Sequence, residues 1–189
     1  MANTKRILAF VGMPGSGKSE AAHYLQEKGF AYIRFGDLTD EGLREKGLPL
    51  TPENEKHYRE EIRENEGMDV YAKRATPKIQ TILETEDNVI IDGLYAWEEY
   101  TFLDKQFQGM IVVYVFTEPH IRYQRLSARL VRPLTHDEAR LRDFAEIELL
   151  NKSGPIAIAD YLIENNGSLE DLHQKIDSLL SRIKLIPQQ

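Results

Sequence analysis

Residues Gly12-Met13-Pro14-Gly15-Ser16-Gly17-Lys18-Ser19 carry the spacing G-x-x-x-x-G-K-[ST]. Glycines so placed let successive backbone N–H groups turn toward one anion, and the start of a helix adds a favourable dipole. The lysine of such a run reaches β- and γ-phosphates, and the hydroxyl after it ligates Mg²⁺. The spacing therefore predicts a nucleoside triphosphate bound with Mg²⁺, contacted by Gly12, Met13, Pro14, Gly15, Ser16, Gly17, Lys18, Ser19 and Glu20. Lys18 is expected to act on the transferred phosphoryl group and Ser19 to hold the metal.

Two acids stand where such a ligand would need them. Asp92 follows the apolar run Val89-Ile90-Ile91 and precedes Gly93, a strand ending in an acid that can hold a metal-bound water or touch an acceptor. Asp-Gly is also a common turn pair. Asp37 follows Phe35-Gly36 at the end of another strand-like run. It is either the general base for a hydroxyl acceptor or the N-cap of the next helix.

Arginines form the next group. Arg122, Arg125, Arg129, Arg132, Arg140 and Arg142 are six of thirteen in the chain, and no lysine lies between Lys105 and Lys152. A solvated face mixes the two residue types, whereas phosphate recognition favours the planar, bidentate guanidinium. Arg129, Arg132 and Arg142 are the expected catalytic arginines of a closing lid, some of the others pairing with Asp137, Glu138, Asp143 or Glu146. Arg44, Arg63 and Arg74 are expected on the acceptor, with surface pairing to nearby glutamates as the alternative. The histidines show no metal-ligand spacing. Tyr95, Trp97 and Tyr100 suit either a pocket wall or core packing.

Elements to position these residues alternate along the chain. Strand-like runs fall at 7–11, 32–35, 88–91, 110–116 and 161–163. Helical patterns fill 19–28, 52–64, 70–84, 119–130, 136–150 and 169–183. Alternation of this kind predicts an α/β fold, a mostly parallel sheet of about five strands with helices on both faces. The 189 residues suffice for one domain spanning 1–189, with a helical acceptor-binding insertion at 38–86 and a lid at 127–150. Insertions at the carboxyl ends of strands favour a small-molecule kinase.

Composition sets the outer limits. A net charge of −7 argues against a broad nucleic-acid footprint, and the absence of cysteine excludes disulfides and thiolate chemistry. No apolar run approaches the ~20 residues of a membrane span. Residues 1–6 run straight into the first strand, so a cytoplasmic location is expected. Oligomeric state is left open.

These residues resemble the nucleoside-monophosphate-kinase branch of P-loop kinases. Within it the chain is similar to the dephospho-coenzyme A kinase-like proteins, most narrowly a mainly archaeal group of kinase-like ATPases. Matching stretches are 11–19, Gly36-Asp37 through Arg44 and Gly47, Thr51-Pro52-Glu53-Asn54, Arg63-Glu64 with Asp69, and Ala72-Lys73-Arg74. Ile91-Asp92-Gly93, Arg142-Asp143, Ile158-Ala159-Asp160-Tyr161 and Asn166-Gly167-Ser168-Leu169 complete them. The resemblance implies the P-loop kinase three-layer fold and Mg²⁺-dependent phosphoryl transfer from ATP to a small nucleotide-like acceptor. It also implies that Asn166 and Gly167 lie near the adenine. Dephospho-coenzyme A is the first expectation for the acceptor. A nucleoside or deoxynucleoside monophosphate kinase and a nucleotide-dependent regulatory protein with slow ATPase activity are the alternatives. Adenylate kinases usually place an arginine three residues after the Gly-Asp acid; Asp40 stands there, which disfavours a simple mononucleotide acceptor.

Overall fold

A computed structural model describes residues 6–185. The reading of residues 1–5 as carrying no leader lies outside them. Five strands, β1 (Arg6–Val11), β2 (Ala31–Arg34), β3 (Asn88–Asp92), β4 (Ile111–Phe116) and β5 (Tyr161–Glu164), form one sheet in the order β2-β3-β1-β4-β5. All four pairings are parallel, with Ala9 opposite both Ile91 and Val112. Parallel strands need helical crossovers, and those helices cover both sheet faces.

The two faces can be read from β1 residue by residue. Ile7, Ala9 and Val11 enter one core with Val89, Ile91 and Val112. Leu8 and Phe10 enter the other with Ile90, Val113 and Val115. Successive side chains of a strand point to opposite faces, so a run buried on both sides must be apolar throughout. α1 (Lys18–Glu27) and α9 (Leu169–Ile183) cover the second face. In α9, Leu172, Ile176, Leu179, Leu180 and Ile183 recur at helical spacing on its buried side. The first face is covered by α2 (Phe35–Glu45), α3 (Pro52–Glu66), α4 (Val70–Thr85) and α5 (Trp97–Gln106). α6 (Pro119–Ser127), α7 (His136–Glu148) and the short α8 (Ser153–Ala157) complete the chain between β4 and β5.

Helix starts follow local chemistry. Thr51, Thr135 and Ser168 cap α3, α7 and α9 by accepting from the backbone N–H three residues on. The first insertion holds three helices rather than about two, because β2 stops at Arg34 and α2 begins at Phe35. Phe35, Leu38, Thr39, Gly42 and Leu43 supply its buried face. Asp37 thus lies inside the first turn of α2 rather than capping it. α5 was not apparent in the sequence, since Ala96 precedes it and cannot cap through a side chain. Buried Glu99 performs that task instead, accepting from the N–H groups of Tyr95 at 2.8 Å and Ala96 at 3.0 Å.

Candidate active site

The loop between β1 and α1 is anchored through its carbonyls. Asn165 Nδ2 donates to Ser16 O at 2.8 Å, and the Thr117 hydroxyl lies 3.0 Å from the same oxygen. Arg122 Nη1 donates to Pro14 O at 3.0 Å while its guanidinium forks onto buried Asp143 at 2.9 and 2.7 Å. Gly12 and Gly17 have φ of 149° and 96°. A Cβ at Gly12 would stand 2.5 Å from Val115 O, and one at Gly17 would collide with the Asn165 amide. Glycine is thus required at both positions for the loop to close on its neighbours. The first-turn N–H groups of α1 have no helical acceptor and form the anion-binding end of the helix.

Lys18 opens α1, is 9% exposed, and donates to Met13 O at 3.2 Å. Burial and the nearby Lys152 ammonium pull its pKa down to about 7. Ser19 and Glu20 follow on the open side of α1.

Asp92 ends β3 and is 2% exposed. The Tyr32 hydroxyl donates to its Oδ2 at 3.2 Å, whereas its Oδ1 is buried without a partner. An orphaned carboxylate oxygen costs free energy unless a cation or water meets it. With the Ser19 hydroxyl it supplies the hard oxygen donors that suit Mg²⁺, which keeps most of its own water. Among the described residues no group of three His, Cys, Asp or Glu forms a denser metal cluster.

Asp37 sits half-exposed at the start of α2, its Oδ1 accepting from Arg34 Nη1 at 3.0 Å. Arg34 also has Asp92 and Tyr95 as charged or titratable neighbours, which places the pair at the carboxyl edge of β2 and β3.

The arginine-rich segment divides in two. Arg129 has Arg142 and Tyr95 as its electrostatic neighbours, and no acid lies within ion-pair distance of it among the described residues. Arg142 donates to Glu146 at 3.2 Å and acts electrostatically on Lys18. Two guanidiniums in electrostatic reach of each other, one of them also of buried Lys18, make a locus for an anion. Arg132 points elsewhere. It forks onto Glu55 of α3 at 3.0 and 2.6 Å, joining the lid to the insertion. Arg122 is the anchor described above, and Arg125 donates to Gly167 O at 3.2 Å.

Arg44, Arg63 and Arg74 do not converge. Arg44 is exposed on α2. Arg63 pairs with buried Glu99 at 3.2 Å and stacks over Tyr71, and Arg74 binds Glu66 at 2.5 Å and the Tyr58 hydroxyl at 2.8 Å. Asn166 binds Glu118 and Glu164, beside the Asn165 that grips the phosphate loop. Trp97 stacks on Tyr100 and packs against Gly154, while Tyr95 is half-buried near Asp92. Arg34, Lys152 and Asn165 escaped the sequence reading, and Glu146 entered it only as a partner for an arginine. They lie outside any local motif, and only the fold brings them to the loop.

A parallel sheet in the order 2-3-1-4-5, with a glycine-rich loop leading from its central strand into a helix, defines a P-loop kinase fold. Residues 8–143 match the model of the AAA domain. The chain belongs to that family and to the UPF0200 proteins: it is 34% identical over 181 residues to a UPF0200 protein of Thermococcus gammatolerans, covering 94% of this chain and 95% of that one. Among solved structures, TT1252 from Thermus thermophilus superposes with a TM-score of 0.65 at 19% identity, over 95% of this chain and 98% of that one. Shikimate kinase from Bacteroides thetaiotaomicron superposes with a TM-score of 0.60 at 16% identity, over 96% and 99%. Both share the fold. No described helix is long and apolar enough to cross a membrane.

Proposed function

We propose that the protein transfers the γ-phosphoryl group of ATP, with Mg²⁺, to a hydroxyl of a small nucleotide-like acceptor, dephospho-coenzyme A being the first compound to test. The observation that carries this is the juxtaposition of Lys18, the unpartnered Asp92 Oδ1 and the Arg129–Arg142 pair around one anchored loop. Mg²⁺, when bound, neutralises charge on the β- and γ-oxygens. Lys18 and the first-turn amides of α1 hold the phosphates. Ser19 and Asp92 hold the metal, Arg129 and Arg142 meet the charge that builds on the transferred group, and Asn166 and Gly167 border the base.

On the acceptor side, Arg63 pairs with Glu99 while its Nε stays buried without a partner, and Arg74 pairs with Glu66 and Tyr58. Asp37 is available as a carboxylate oriented by Arg34. It takes the hydroxyl proton as the acceptor oxygen attacks, a step that a phosphate acceptor does not need.

ADP formation by the purified protein with Mg–ATP tests the reading, run with dephospho-coenzyme A, each nucleoside monophosphate and its deoxy form, and no acceptor. Stimulation by the hydroxyl acceptor, lost in Lys18→Ala, is expected. Stimulation by a monophosphate alone would make the protein a monophosphate kinase, and slow turnover indifferent to every acceptor would make it a regulatory ATPase.

A further inference from the structure

One buried cation has no part in the mechanism above. Lys152 follows α7, in the turn between the arginine-rich segment and α8, and is 1% exposed. Asn151, with φ of 49°, reverses the chain there. Lys152 N–H donates to Glu146 O at 3.3 Å, and its ammonium donates to the Glu146 carboxylate. The same ammonium stands 4.6 Å from the centre of the Tyr95 ring.

The fold aims this cluster at the phosphate loop. Ala139, Asp143 and Glu146 form the buried face of α7. Asp143 is tied through Arg122 to Pro14 O. Glu146, one turn further along that face, acts electrostatically on Lys18, as Asp92 does. Tyr95 carries the connection across the site, since it follows Asp92-Gly93 and packs against Gly93. The groups facing Lys152 are thus Glu146 and Arg142 from α7, Lys18 from α1, Tyr95 after β3 and Glu99 from α5.

One carboxylate, Glu146, is bonded by Lys152 and Arg142, and Lys18, which donates to Met13 O, feels its charge. Two cations bonded to one internal anion, with the phosphate-loop lysine in electrostatic reach of it, make a site for a phosphate whose tenant is already present. We propose that Lys152 is a second phosphate-binding lysine of the donor site, and that Glu146 stands in for a terminal phosphate until a triphosphate displaces it. This deepens the ATP-binding reading above and rests on it. Removing either partner of a buried pair destabilises the protein, but only this account gives the two residues opposite effects on triphosphate affinity.

Equilibrium titration of the full chain with Mg–ATP, Mg–ADP and AMP tests the proposal, alongside thermal melting without ligand. Lys152→Met is expected to weaken ATP binding about 10-fold or more while leaving AMP within about twofold, with Lys152→Arg recovering part of the loss. Glu146→Gln is expected to lower the melting temperature yet tighten ATP binding about threefold or more, because the internal competitor has lost its charge. Should Lys152→Met not fold, the charge-balanced Lys152→Met/Glu146→Gln variant takes its place, with the same loss expected for ATP. Equal weakening of all three nucleotides, no weakening, or weaker ATP binding in Glu146→Gln overturns the proposal. Wild-type binding that is lost in Lys18→Ala but unmoved in Lys152→Met sinks this inference alone. Absence of wild-type ATP binding sinks the nucleotide reading together with it.

Discussion

The donor half and the acceptor half of the cleft are built in different ways. Around the phosphate loop, side chains from four separate stretches grip the backbone: Thr117, Arg122, Asp143 and Asn165 are all buried, and each is bonded to the loop or to a group that is. Across the cleft, Arg34, Asp37, Glu55 and Arg132 form ion pairs open to water on at least one side. Buried, fully bonded networks fix one geometry, whereas exposed pairs contribute little and exchange partners readily. On the proposed reading, the donor half is a preformed receptor and the acceptor half an adjustable edge.

Substitutions can break or sharpen that contrast. Arg122→Ala should have the largest effect. It leaves the Asp143 charge buried without its cation, held only by the Tyr123 hydroxyl, and frees the Pro14 carbonyl. Loss of about 3–5 kcal/mol of stability is expected in denaturant unfolding. Stability unchanged by this substitution would mean the donor half is not wired as described.

Asp37→Asn comes next and should act on rate alone. About a 100-fold fall in turnover with the hydroxyl acceptor is expected, at unchanged KM for ATP and unchanged melting temperature. An equal fall in ATP binding would show that the two halves are not separable.

Lys18 gives the contrast a pH signature. The unfolded chain keeps the lysine proton up to its ordinary value of 10.5, while the folded, ligand-free protein gives it up near about 7. Between those values the unfolded state binds more protons, so stability rises with pH across the window. The groups setting this are Lys152, Glu146, Asp92 and Arg142. Melting temperature without ligand should climb from pH 7 to pH 9, and Lys18→Met should flatten the climb and raise the value at pH 7. A wild-type profile that is flat over this range contradicts the burial assigned to Lys18.

Arg132→Ala should do least to the fold. Its bridge to Glu55 is half exposed, and such pairs are worth about 0–1 kcal/mol. A loss of several kcal/mol would move the lid hinge into the rigid half of the molecule.

The same division explains what was legible in the sequence. The phosphate loop is contiguous, and its glycines, Lys18 and Ser19 announce their chemistry by spacing alone. α9 was read to the residue because its apolar period and its Ser168 cap are both local. Asp92 was visible as an acid after an apolar strand. By contrast, the sequence left Arg63 and Arg74 open between an acceptor and nearby glutamates, and only the fold pairs them with Glu99 and with Glu66 and Tyr58. Arg132 belonged visibly to a phosphate-rich vocabulary of arginines, yet its partner Glu55 lies 77 positions away. Lys152 was invisible for the same reason: a lone lysine between Asn151 and Ser153 gives no sign that it will be buried beside Lys18. Backbone recognition is written in short spacings, while the pairing of charged side chains is decided by the closed fold.

The central claim is that the preformed donor site passes a phosphoryl group to a hydroxyl at the Asp37 edge. ³¹P NMR of the reaction with Mg–ATP and the stimulating acceptor tests it most directly. The account predicts a new phosphomonoester resonance growing in step with ADP, at wild-type rate only when Asp37 is present. A new phosphoanhydride signal, or inorganic phosphate alone, would contradict it.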